Sequence, residues 1–255
     1  MNFKDMMAIE NWLKNNIVKL HNVDYEIDDN GLINVKNSMI KFKYSMFKLY
    51  QLKELPEFIN FGRIENVKFD ASDCGFESMR GFPKECFDTD FLCNNNNLTS
   101  LEYAPKIIHG GKCDFSNNQL KTLNGTLKEI YCEEINFDYN YIKKFNKKMM
   151  IHNEWLTEED IKRFNYKPLT QYPNLPSLLF YFDLTYNNIE SFKNLNIDLR
   201  GFENEKINKC VVLYINSNDL NYKHISAEEP EKFKKMLFEK NKGNLKESDI
   251  RIIVD

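Results

Sequence analysis

The chain has 255 residues, with 35 Lys and Arg against 38 Asp and Glu and a formal net charge of −3. That balance argues against a polybasic nucleic-acid binder, and 42% hydrophobic with 14% aromatic residues is more core material than a disordered chain carries. No stretch approaches the ~18–20 apolar residues of a membrane helix, and Met1-Asn2-Phe3-Lys4-Asp5 lacks a signal's basic-then-apolar pattern, so a cytoplasmic globular protein is expected.

Phe3, Met6, Leu13, Ile17 and Leu20 fall near helical spacing, which predicts an amphipathic helix over 3–20. Val23, Tyr25 and Ile27 alternate, Asp29-Asn30-Gly31 is a turn signal, and Ile33 and Val35 alternate again, which predicts a hairpin. Helix and hairpin would form an N-terminal cap over residues 1–46, covering the open end of a repeat array that begins near residue 47.

The repeats are visible in the spacing. A degenerate copy ends at Leu52-Lys53-Glu54-Leu55-Pro56. Phe69-Asp-Ala-Ser-Asp-Cys-Gly-Phe76 returns 22 residues later as Phe91-Leu-Cys-Asn-Asn-Asn-Asn-Leu98. Two further steps of 22 give Cys113-Asp-Phe-Ser-Asn-Asn-Gln-Leu120 and Ile135-Asn-Phe-Asp-Tyr-Asn-Tyr-Ile142. After a gap come Phe182-Asp-Leu-Thr-Tyr-Asn-Asn-Ile189 and Leu213-Tyr-Ile-Asn-Ser-Asn-Asp-Leu220. The first and third residues of each copy alternate inward along a short parallel strand, and the last closes the core. Asn96, Asn118, Asn140, Asn187 and Asn218 share one register, where an amide can donate to and accept from neighbouring backbone groups. Cys74 holds that place in the first copy, so the Asn ladder should begin at the second.

Residues 146–177 interrupt the pattern. A short helix is expected from Thr157, followed by Pro168, Pro173 and Pro176, which forbid regular structure. Beyond 222, a helix over 226–240 should bury Phe233, Met236 and Leu237, and Ile250, Ile252, Ile253 and Val254 predict a final strand. This gives a cap over 1–46, repeats over 47–222 with an insertion at about 146–177, and a C-terminal cap over 223–255.

The pattern L-x-L-x-x-N-x-L resembles the leucine-rich repeat. The blocks at 94–106 and 116–130 resemble the short repeats of bacteriophage and bacterial proteins, and Trp12-Leu13 before the hairpin resembles their start. The resemblance implies an α/β-type repeat solenoid with short parallel strands on its concave side and few helices. It also implies a binding role, with a host or defence protein as the natural target of a phage-encoded inhibitor.

Residues for chemistry are sparse. His21, His109, His152 and His224 lack metal-ligand spacing, and no phosphate-loop or nucleophile-elbow motif occurs. His109-Gly110-Gly111 is expected at a turn. Six cysteines, none in a CxxC pair, are expected as buried thiols. No cofactor and no metal are expected, and the chain is read as non-enzymatic. The alternatives are an enzyme using His152, Glu154, Glu158, Glu159 and Asp160 in the insertion, a site in the tail, or a virion or structural component.

The residues flanking the inward pair should line the concave side. Among them are Asp70, Asp90, Leu92, Asp114, Glu134, Asp138, Tyr181, Asp183 and Tyr214. Acids beside two tyrosines predict a face for a basic protein partner.

Overall fold

The computed structural model describes residues 3–17, 24–43, 52–143, 149–152, 162–165, 177–187, 189, 195–198, 208–214, 228–240 and 249–253. Helix α1 (Phe3–Asn16) buries Ile9 and Leu13. Strands β1 (Asp24–Ile27) and β2 (Leu32–Lys41) form the expected antiparallel hairpin. Its turn holds because the Asp28 carboxylate accepts from the Asn30 and Leu32 amides while Gly31 takes a φ of 78°.

From β2 onward every described pairing between strands is parallel, and the isolated bridge between Ile17 and Phe42 is antiparallel. β3 (Asn60–Asp70) pairs along its first half with β4 (Glu85–Phe87) and along its second with β5 (Asp90–Leu92). Both join the unbroken strand β6 (Ile107–Asp114), which pairs with β7 (Glu129–Asn136). The 22-residue spacing is the register itself: Phe69 pairs with Phe91, Phe91 with Cys113, and Cys113 with Ile135.

At β7 the sheet forks. Its first half pairs with β8 (Met150–His152), and β8 with β10 (Asn196–Asp198). Its second half pairs with β9 (Ser177–Asp183), which continues to β11 (Asn208–Tyr214) and β12 (Ile250–Ile253). Met150–His152 therefore belong to the sheet, although they fall within the segment expected to interrupt the repeats. The chain leaves the sheet after His152 and returns at Ser177. Earlier strands kink at this same register: Asn37, Asn66 and Asp88 take φ values of 50°, 52° and 45° there.

Gly110 lies mid-strand in β6, opposite Cys132, and not in the expected turn. The reason is steric. The kink at Asp88–Thr89 presses against β6, and a Cβ on Gly110 would collide with the Thr89 backbone.

The core is aromatic. Phe69, Phe91, Phe115 and Phe137 are wholly buried and follow one another at centroid distances of 5.3, 5.5 and 5.3 Å. Each such ring removed from water stabilises the fold by about 1.5–3 kcal/mol. Cys74, Cys86, Cys93, Cys113 and Cys132 are buried among them; the side chain of Cys210 lies outside the described residues.

The Asn ladder is present. Asn96 accepts from the Cys74 and Phe76 amides and donates to the Ala71, Cys93 and Asn94 carbonyls. Asn118, Asn140 and Asn187 accept from the Leu98, Leu120 and Ile142 amides in the preceding turns. Asn218 and the start of the helix expected from Thr157 lie outside the described residues, and Lys162 and Arg163 are helical.

Helix α2 (Glu228–Lys240) buries Phe233 and Leu237, whereas Met236, expected beside them, is 48% exposed. Around the helix, position 236 lies about 60° from 233 and about 100° from 237, on the edge of the stripe that those two residues bury. Among the described residues, no helix is long and apolar enough to cross a membrane.

Candidate partner-binding face

The residues that follow the first inward position of each copy stand in one column across the strands. Asp70 pairs with Leu92, Leu92 with Asp114, Asp114 with Asn136, Asn136 with Asp183, and Asp183 with Tyr214. Its exposure differs from the expectation. Asp70, Asp114 and Asp183 retain only 5%, 7% and 8% of their surface.

These acids are buried because each folds back on its own turn. Asp70 accepts from the Ser72 amide and hydroxyl, and Asp114 from the Ser116 amide at 3.0 Å and hydroxyl at 2.6 Å. Asp183 accepts from the Thr185 amide at 2.9 Å, and Asn136 from the Asp138 amide at 2.9 Å. This is the Asx geometry that mimics a backbone turn. Lysines complete the set: Lys41 Nζ lies 2.9 Å from Asp70, and Lys112 Nζ 3.6 Å from Asp114 and 2.6 Å from Glu134. Burial pushes the Asp70 carboxyl up, but hydrogen bonds from Ser72 and Lys41 outweigh it and leave its pKa below the ordinary value.

The remaining expected residues are less buried. Asp90 is half-buried and accepts from the Lys112 amide at 3.1 Å, and Leu92 beside it is half-buried. Tyr181 is half-buried and donates to Asp183 Oδ2 at 2.9 Å. With Gly111, Lys112, Glu133 and Glu134 it lines a cleft of about 450 Å³. Tyr214 ends β11, and its side chain lies outside the described residues.

Asp138 differs from the other acids. It is half-buried, and its Oδ1 is shielded from solvent with no hydrogen-bond partner among the described residues. Burial, then the charges of Asp183 and Asp114, push its carboxyl up to about 6.

Beside Asp138 lies a pair that sequence spacing did not reveal. Tyr139 and Tyr186 occupy the left-handed position, at φ 48° and 51°, that Asp73, Asn95 and Asn117 occupy in earlier turns. Their rings stack at 4.1 Å with planes 20° apart, and Tyr139 remains 51% exposed. The sequence signal was a tyrosine directly before the ladder Asn, where Asn or Asp is expected for a positive φ.

The other half of the face is covered. Phe87, Ile107 and Tyr131 form a small apolar cluster against Phe164, from the described part of the insertion. Arg163 donates to Glu129 at 2.7 Å and to the Tyr131 hydroxyl at 2.9 Å, and Arg63 donates to the Phe164 carbonyl at 3.0 Å. His152 stacks on Tyr131 at 4.1 Å. Glu154, Glu158, Glu159 and Asp160, the insertion acids of the enzyme alternative, lie outside the described residues. Among the described residues, no group of three or more His, Cys, Asp or Glu could hold a metal ion.

Comparison with known proteins finds no matching family model, no similar curated protein and no similar solved structure.

Proposed function

We propose that this chain is a leucine-rich-repeat-type solenoid that binds a basic protein partner without catalysis. The partner-binding centre on this reading is Asp138 with the Tyr139–Tyr186 stack, flanked by the Glu133–Glu134–Tyr181 cleft. Support comes chiefly from the Tyr139–Tyr186 stack, in which Tyr139 is 51% exposed and Tyr186 half-buried, next in the chain to the half-buried Asp138 carboxylate. A guanidinium or ammonium group would lie over the exposed Tyr139 ring and be drawn there by the negative charge of Asp138 and Glu134. Asp70, Asp114 and Asp183 then serve as turn braces that set a negative background, and the covered half under Phe164 limits the surface open to a partner.

An arginine-rich peptide tests the reading by fluorescence anisotropy. Binding should weaken about tenfold or more in the Tyr139→Asn, Tyr186→Asn double variant, and fade with salt as the screening length falls below about 8–10 Å. Equal affinity in the double variant at low salt would remove the face from consideration.

A further inference from the structure

A second groove lies near the starts of β4 and β6, with a volume of about 520 Å³. Its floor includes Phe61, Phe82 and Ala104, and its rim includes Tyr103, Lys84 and Lys106. Lys106 donates its amide to the Lys84 carbonyl at 2.7 Å, so the two lysines occupy neighbouring rungs about 4.8 Å apart. Like charges so placed repel. Both side chains are exposed, and neither forms an ion pair with a described residue. The other charged groups of the groove are held: Arg80 by Glu54 at 2.7 Å and Glu57 at 3.3 Å, and Glu85 by Arg63 at 3.9 Å.

Tyr103 is the second observation. In the tight turn Leu101–Ala104 it takes a φ of 62°, where the neighbouring turns have Gly81 at 83° and Gly125 at 156°. Folding favours glycine at this position of a type II turn. Here a tyrosine replaces it, and that residue is 54% exposed and lines the groove. The turn gains nothing from that ring, whereas a ligand in the groove would.

We propose that this groove binds an acidic segment of a partner protein, with carboxylates on Lys84 and Lys106 and an apolar side chain against Tyr103. A ligand carrying two carboxylates relieves the lysine repulsion. The site is separate from the acidic face and does not rest on the reading given for it.

The probe is a short fluorescein-labelled peptide of alternating Glu and Leu, titrated with the full chain at low salt and followed by anisotropy. The intact chain should bind it, and the Lys84→Glu, Lys106→Glu double variant should bind at least about tenfold more weakly. The exposed Lys121→Glu variant, a charge control, should bind as the native chain does. Tyr103→Gly should melt no lower than the native chain yet bind more weakly. If the charge-reversed variant does not fold, Lys84→Ala, Lys106→Ala takes its place with the same expectation. Absence of binding, equal binding by the double variant, or an equal loss in Lys121→Glu would overturn the proposal. So would a single-stranded oligonucleotide that binds more tightly than the peptide through the same lysines.

Discussion

Tyr139 and Tyr186 stack at 4.1 Å although the insertion separates their turns in the chain. The stack exists because the second half of β7 skips β8 and pairs with β9, Asn136 opposite Asp183, which brings the two turns into adjacent rungs. Both residues sit at positive φ, where a side chain other than Asn or Asp is strained. Replacing both by Asn should raise the urea midpoint while reducing binding of a basic peptide. A fall in both would mean that the rings are structural packing.

Asp138 should give the fold an unusual pH dependence. Its folded pKa of about 6 is above the ordinary 3.8, so the folded state holds the proton more tightly than the unfolded state does. Stability should therefore fall as pH rises from about 4 to 6 and stay reduced above. Asp138→Asn should remove that slope and stabilise the chain by about 1–2 kcal/mol at neutral pH, after allowance for solvent screening of a half-buried group. Urea titrations at both ends of that window check it. Asp70, whose pKa is lowered, contributes the opposite slope only below its ordinary range.

Asn118 is 5% exposed and bonds the Leu98 amide and the Cys93, Phe115 and Ser116 carbonyls. Asn118→Ala leaves those groups unpaired and should cost about 1–3 kcal/mol. An unchanged denaturation midpoint would contradict the ladder's structural role.

Gly110→Ala tests the kink. The added methyl meets the Thr89 backbone, which cannot rotate away. A destabilisation of about 1–3 kcal/mol, read by thermal melting, is expected. The neighbouring Gly111→Ala should be milder, since its nearest contact is the Asp90 carboxylate at 3.2 Å.

The buried thiols should resist labelling in the native state. Cys93 and Cys113 are fully buried, and burial, followed by the charges of Asp70 and Asp73, pushes the Cys74 thiol up to about 12. Rapid modification of Cys93 and Cys113 by a thiol reagent at neutral pH, without unfolding, would mean that this register is wrong.

The 22-residue spacing by itself determined which residues pair: Phe69 with Phe91, Cys113 with Ile135, and Asp114 with Asn136. A parallel ladder with a constant repeat length converts sequence spacing directly into register. The Asn ladder was legible for the same reason, because its partners lie at fixed offsets. The hairpin turn at Asp28–Gly31 was legible from local turn chemistry alone.

Tertiary structure decided the rest. Alternation shows which face a side chain takes but not whether its own turn then covers it, so Asp70, Asp114 and Asp183 read as open acids and are buried braces. Gly110 read as a turn residue because its strand role depends on Thr89 in the previous rung. The fork at β7, the cover of Phe164 over Phe87 and Tyr131, and the unbonded oxygen of Asp138 all depend on which distant strand lies alongside. A repeat length encodes contacts between successive copies; where an insertion breaks the succession, three-dimensional packing alone selects the neighbour.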